Sequence, residues 1–226
     1  KNNKTDILII ILLIIFPLIF YKYLFNLLNA LSFLNANIYK PLITNELIIP
    51  IGLSFYTFQS IAYIIDVSKN KSLIEKNIFK LATFISFFPQ ILAGPIERWS
   101  KLSKQLFSEK KPNPEIILNG ITILLYGLFL KIVISERLAV FVDMIFSNYI
   151  YYNSFSNFLG LVCFFFQIFC DFAGYSLIAM GVAKFFGINL SLNFKQPFFA
   201  TSLSDFWQRW HITLTKWVGD YVYKPM

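Results

Sequence analysis

The chemistry open to this chain is concentrated in Asp205-Phe206-Trp207-Gln208-Arg209-Trp210-His211-Ile212-Thr213-Leu214-Thr215-Lys216-Trp217, which sets the single histidine among three tryptophans. An imidazole has its ordinary pKa near neutrality, so it can take a proton from a hydroxyl and return it without a metal or cofactor. His211 is therefore the candidate base. A histidine on an apolar helix face is more often a hydrogen-bonded packing residue than a catalyst, and the local sequence leaves both roles open. With one histidine no zinc-ligand spacing exists, so no metal site is expected, and the chain has neither a Walker loop nor a GxGxxG turn.

The element that must position this imidazole starts at Thr201-Ser202-Leu203-Ser204-Asp205, where Ser-x-x-Asp has the spacing of a capping box. From there Trp207, Trp210, His211, Leu214, Thr215, Val218, Tyr221 and Val222 share one helical face, and Arg209, Thr213, Lys216 and Asp220 share the other. The pattern predicts an amphipathic interfacial helix, basic toward headgroups or water, with His211 turned toward a bundle.

That bundle is a membrane one. Hydrophobic residues make up 57% of the chain and charged residues only 14%, far from the balance of a soluble domain. Crossing a hydrocarbon core of roughly 30 Å takes about 20 helical residues. Leu8 to Phe20 and on to Leu28 is long enough. Further candidates are Leu47 to Ile65, Ile78 to Ile96, Ile116 to Ile134 and Phe155 to Phe172, with a shorter one at Gly174 to Ile188. Lys1 and Lys4 precede the first run as they would a signal peptide, but its length and the lack of a small-residue cleavage site predict a retained helix. The expected fold is all-α, a polytopic transmembrane helical bundle. Residues 1–226 read as one integral membrane domain, with 1–46 a generic N-terminal helix and loop. The chain begins at Lys1 and stops at Pro225-Met226 directly after a helical pattern, so a fragment of a longer protein is expected.

Polar groups at membrane depth are expensive, and their spacing says what the bundle interior is for. Gly52, Tyr56, Gln59, Tyr63 and Asp66 fall on one face of the second span; Gln167, Asp171 and Tyr175, with Gly174 and Ser176 adjoining, fall on one face of the fifth. Two such stripes point to a polar cavity or tunnel, the alternative being interhelical hydrogen bonds that only hold the bundle together. Between them, Phe87-Phe88-Pro89-Gln90-Ile91-Leu92-Ala93-Gly94-Pro95-Ile96-Glu97-Arg98-Trp99 interrupts an apolar run with two prolines and a glycine. This predicts a broken or re-entrant helix along the same cavity, with Glu97 and Arg98 at its mouth, or else an interfacial loop with a surface ion pair.

The net charge of +8 lies in short clusters between apolar runs, Lys69, Lys71, Lys76 and Lys80, then Arg98, Lys101, Lys104, Lys110 and Lys111. Such clusters suit a lipid surface, and no nucleic-acid partner is expected. If the positive-inside rule applies to both, they share the cytoplasmic side, and Ile78 to Ile96 must dip and return or lie shallow. Cys163 and Cys170 are seven apart on one helix, about 10.5 Å along its axis, too far for a disulfide.

An ordered set of motifs narrows the reading. Pro50-Ile51-Gly52-Leu53-Ser54-Phe55-Tyr56-Thr57-Phe58-Gln59, Ser86 to Ile96, Asp171-Phe172-Ala173-Gly174-Tyr175-Ser176, Asn193-Phe194 to Pro197, Asp205 to Leu214 and Asp220-Tyr221 to Pro225 together resemble the bacterial membrane-bound O-acyltransferase (MBOAT) family. The nearest likeness is to the branch containing the alginate O-acetylation protein; the likeness covers residues 47–226. It implies a helical bundle around a tunnel through which an acyl group passes from a cytoplasmic donor toward an acceptor hydroxyl on the outer side. His211 matches the histidine of the family's Trp-His motif, as general base or donor-positioning residue. Trp207, Arg209, Trp210, Gln59, Gln90, Gly94, Pro95, Asp171, Tyr175 and Asn193 would line the tunnel. The sequence departs from the family at Gly219, where close relatives tend to have Arg, and at Leu177, where they often have an acid. The resemblance implies a second family histidine, in a Trp-His-Gly motif, which would fall downstream of Met226.

The resemblance further implies O-acyltransferase activity on hydroxyls of a cell-envelope polysaccharide, whether alginate, peptidoglycan or another exopolysaccharide. The cargo would be acetyl or another short acyl group and the donor acetyl-CoA or another thioester, with no tightly bound cofactor. The partners implied are membrane lipid, a periplasmic acyltransferase and the polysaccharide itself, and the setting is the bacterial cytoplasmic (inner) membrane, crossed several times. Two non-enzymatic readings of the same stripes are a polar-solute transporter and a catalytically inactive membrane scaffold. A solute pathway has no particular need of a lone imidazole, whereas acylation of a hydroxyl needs a proton acceptor.

Overall fold

A computed structural model describes residues 4–31, 50–91, 94–109 and 113–225, and the regular structure among them is all helical. The chain divides into two compact units, Lys1–Ser86 and Phe87–Met226. Among the described residues three helices are long and apolar enough to cross a membrane.

In the first unit α1 (Lys4–Leu31) carries the apolar stretch Thr5–Tyr23 and packs along α2 (Leu53–Lys69). The sequence suggests a span from Leu47, a stretch whose first three residues lie outside the described ones. The helix begins at Leu53, because Gly52 takes a left-handed φ of 77° and the Leu53 N–H bonds back to the Pro50 carbonyl. Its 17 residues make about 26 Å, short of a full hydrocarbon core. Asn77 then caps α3 (Ile78–Ile85), its side-chain oxygen accepting from the N–H groups of Phe79 and Lys80. Eight residues reach only about 12 Å. No straight span therefore runs from Ile78 to Ile96, in keeping with the interruption expected there.

The second unit opens with a single helical turn, α4 (Phe88–Ile91). Gly94 to Arg98 run without helix, and α5 (Trp99–Leu106) follows. Gly94 is needed for close approach, since a Cβ there would stand 2.4 Å from the Gln90 Cα. Next comes a rod of 34 residues made of α6 (Pro114–Leu128), a π-helical stretch Phe129–Ser135 and α7 (Glu136–Ser147). Asn113 caps its start, accepting from the Ile116 N–H, with Pro114 in the first turn, where a missing N–H costs nothing.

The other long element, α8 (Ser154–Phe185), has 32 residues, about 48 Å. The sequence divides this stretch into two elements, Phe155 to Phe172 and Gly174 to Ile188. It is one continuous helix, because Gly174 serves packing and does not break the chain. Rod and helix lie antiparallel along a seam of small residues. Gly127 faces Gly174 and Gly120 faces Gly181, while Gly160 faces Ile145. Small residues let helix backbones approach closely where lipid supplies no hydrophobic drive between helices.

The helix expected from Leu203 onward is interrupted. Ser202 caps α9 (Leu203–Arg209) by accepting from the Asp205 N–H, as the capping-box spacing suggests. The chain then breaks at Trp210 and His211, and α10 (Ile212–Val218) runs into a π-helical turn, Gly219–Tyr223. A left-handed residue between two helices destroys their common phase. The single-helix faces drawn from the sequence are accordingly kept only in part: Tyr221 is buried as expected, but Thr213 is buried too, whereas Trp207 and Val218 are exposed.

Candidate active site

His211 sits at the break, with φ 41° and ψ 52°. A left-handed conformation costs an L-residue roughly 1–2 kcal/mol, so something must hold it. The Lys195 N–H donates to the Arg209 carbonyl at 2.9 Å, two residues before the histidine. Just after it, the Ile212 N–H donates to the Asn193 carbonyl at 2.8 Å. The loop of residues 193–195 thus clamps the backbone on both sides of His211.

Side chains extend the clamp. The hydroxyl of Thr213 donates to Asn193 Oδ1 at 2.6 Å, the Ile96 N–H donates to Thr213 Oγ1 at 3.0 Å, and Asn193 Nδ2 donates to Ser176 Oγ at 2.9 Å. Asn193, Ser176 and Thr213 are buried, as is Ile96 on the non-helical segment. The broken stretch after Gly94, helix α8 and the histidine segment therefore meet in one buried polar core.

The imidazole lies edge-on to the Phe172 ring, with centroids 4.5 Å apart. Its Nε2 is buried and has no hydrogen-bond partner among the described residues. Desolvation by burial pushes its pKa down to about 4, so the ring is neutral at physiological pH. Trp210 is held in an aromatic cage, stacked on Phe165 and Phe206 with edge contacts to Phe194.

Two cavities adjoin this core. One of about 330 Å³ is mainly apolar and is lined by Tyr126, Phe169, Leu177 and Phe194, with Ser176 and Asn193 as polar points. The other, about 750 Å³, is lined by Glu97, Arg98, Lys101, Ser191, Thr213, Lys216 and Asp220. Glu97 and Arg98 do not pair with each other there. Buried Glu97 accepts from the Ser191 N–H, while Arg98 reaches Asp220 on the π turn. The hydrogen bond from Lys224 holds the Asp220 carboxyl below its usual range, burial opposes it, and Arg98 adds to the lowering.

The remaining residues singled out by sequence fall in several places. Trp207 and Trp210 border an apolar groove with Phe165 and Phe206, and Arg209 pairs with Asp205 one helical turn away at 2.7 Å. Gln90, Gly94 and Pro95 are buried in the broken segment, and Gln59 is buried on α2 in the first unit. Asp171 meets Lys131 across the helix seam at 2.5 Å, and the Lys131 ammonium lies 4.0 Å from the centre of the Tyr175 ring. The Asp171 side chain is 47% exposed, and its ion pair with Lys131 joins the two long helices.

Sequence reasoning missed Lys131, Thr213 and Ser176 as partners, and the two glycine pairs. A signal for the glycines was present, since Gly120 and Gly127, like Gly174 and Gly181, are seven apart and so share a helix face. Thr213 gave no such signal, because its burial follows from the break at His211.

The sequence model of the MBOAT, membrane-bound O-acyltransferase family, matches residues 75–226. The chain is 36% identical over 186 residues to the probable alginate O-acetylase AlgI of Pseudomonas fluorescens, covering 81% of this chain and 37% of that protein. It is 34% identical over 210 residues to the peptidoglycan O-acetyltransferase of Helicobacter pylori, covering 81% and 40%. With the teichoic acid D-alanyltransferase of Bacillus subtilis it shares 30% over 181 residues, covering 79% and 46%. The chain thus spans less than half the length of these curated relatives. A family match over most of the chain, on a helical framework with membrane-length elements, makes it a member of the membrane-bound O-acyltransferase family.

Proposed function

We propose that this chain is the portion of a membrane O-acyltransferase that holds the reacting groups beside His211, in a protein moving acetyl or another short acyl group toward hydroxyls of a cell-envelope polysaccharide. The relatives named for alginate, peptidoglycan and teichoic acid support an envelope polymer as acceptor. Acetyl-CoA or another thioester is the donor, a periplasmic acyltransferase is the partner that receives or passes on the acyl group, and the setting is the cytoplasmic membrane.

One observation carries the reading. The only imidazole of the chain is neutral, has a buried Nε2 without a partner among the described residues, and is carried on a left-handed backbone position clamped on both sides. In the transfer, the hydroxyl oxygen attacks the thioester carbonyl, the C–O bond forms, the C–S bond breaks and the hydroxyl proton ends on the departing thiolate. With a pKa near 4, His211 holds a proton weakly, which favours orienting the hydroxyl or the thioester over storing the proton. A fixed donor or acceptor at the reacting centre is worth about 100- to 1,000-fold in rate.

The test is His211→Ala and His211→Gln in the full-length protein. Both should cut acyl transfer by about 100-fold or more at normal membrane abundance. Full acylation by His211→Ala protein at wild-type abundance would return the residue to packing.

A further inference from the structure

We infer that Thr213 and Ser176 are positioning residues for His211, acting through Asn193, an inference that rests on the functional reading of that histidine.

The argument begins with proton direction. A backbone N–H can only donate, so the Ile96 amide obliges Thr213 Oγ1 to accept from it at 3.0 Å. The threonine proton is then left for Asn193 Oδ1 at 2.6 Å, and this orients the amide so that its Nδ2 faces Ser176 Oγ at 2.9 Å. The same Asn193 gives its carbonyl to the Ile212 N–H at 2.8 Å, so one residue grips both positions that follow the histidine.

A clamp of this kind sets the imidazole's location as well as holding the fold. His211 would relax out of its left-handed conformation if the residues after it were free to turn. The polar core is built from segments far apart in sequence, residue 96, residue 176, residue 193 and residue 213, and these converge beside the one histidine. Thr213 also lines the 750 Å³ cavity with Lys101, Lys216 and Arg98.

The experiment uses full-length protein in native membranes, with radiolabelled acetyl-CoA as probe donor and initial rates of label transfer to the envelope polysaccharide fraction as readout. Thr213→Val keeps the shape and removes the relay at both ends. We expect kcat to fall by about 10- to 100-fold, as a misplacement on the order of 1 Å would do, with KM for the donor little changed. Thr213→Ser keeps the hydroxyl and should restore the rate. If Thr213→Val does not accumulate, Ser176→Ala serves, because it removes the oxygen to which Asn193 Nδ2 donates and leaves the backbone bonds that flank His211 in place.

Wild-type kcat in both Thr213→Val and Ser176→Ala protein at normal abundance would overturn the inference. So would a rise in KM with kcat unchanged, or failure of Thr213→Ser to restore the rate. Wild-type kcat in His211→Ala protein would instead overturn the reading of His211 on which the inference rests.

Discussion

Gly127 and Gly174 each fill the space the other's side chain would take, for a Cβ built on either would lie 2.8 Å from the carbonyl oxygen of the other. The obstacle is backbone, which cannot swing aside. Gly174→Val should therefore force the rod and α8 apart, at a cost of about 1–3 kcal/mol or more. Gly219→Ala is the contrast, since nothing lies within 4 Å of a Cβ there and the backbone is right-handed helical. It should be neutral or stabilising by about 0.5–1 kcal/mol. Thermal midpoints of the full-length protein in detergent check both, and equal effects would contradict the seam.

The pair Lys131–Asp171 bridges that seam near the middle of both long helices. Lys131→Met leaves Asp171 without its cation, which at the centre of a membrane helix costs about 3 kcal/mol. Membrane abundance should drop several-fold. Lys131→Met with Asp171→Leu removes both charges and should recover abundance, because a paired charge adds little net stability over apolar residues. A double variant as depleted as the single one would show that the pair does more than compensate itself.

These contacts mark where sequence reading succeeds and where it stops. Periodicity placed α1 and the first part of the long rod, Ile116 to Ile134, though not its continuation to Ser147, and the capping-box spacing placed the start of α9, since Ser202 acts locally through its own backbone. The interruption between Ile78 and Ile96 was legible because Pro89, Gly94 and Pro95 constrain the chain wherever they stand. The break at His211 was not, because nothing in Trp210-His211-Ile212 disfavours helix. It is imposed by Asn193 and Lys195 from a distant loop. Thr213 was consequently assigned to the solvent face although it is buried. His211 itself stood out by rarity and by its Trp-His context, whereas its unpartnered Nε2 depends on three-dimensional packing.

Burial of His211 gives stability a pH dependence of definite sign. Its folded pKa of about 4 lies below the ordinary 6.5. Above about pH 6.5 the ring is neutral in both states and contributes nothing. As pH falls from there toward 4, the unfolded chain binds a proton that the folded chain does not, so the folded state loses ground. Below pH 4 the penalty is constant. Thermal midpoints of wild type and His211→Gln protein measured from pH 8 to pH 5 should diverge only below about pH 6.5, with wild type falling faster. Parallel curves across the range would place the imidazole in water.

The left-handed backbone at residue 211 can be separated from the imidazole it carries. Asparagine tolerates that conformation better than most residues, whereas a β-branched residue is strained in it. His211→Asn should therefore keep wild-type membrane abundance and thermal midpoint while losing acyl transfer, because an amide cannot reproduce the imidazole's reach or basicity. His211→Val should lose transfer and, in addition, about 1–2 kcal/mol of stability, the cost of a left-handed L-residue without a compensating fit. Gly at the same position relieves the backbone but supplies no side chain, so His211→Gly should match the asparagine variant in stability and in inactivity. If all three variants lost stability equally, the ring contact with Phe172 would be holding the segment and the left-handed turn would be incidental. If His211→Asn retained transfer, the Asn193 clamp would serve the fold alone, and the reacting groups would have to be sought elsewhere in the protein.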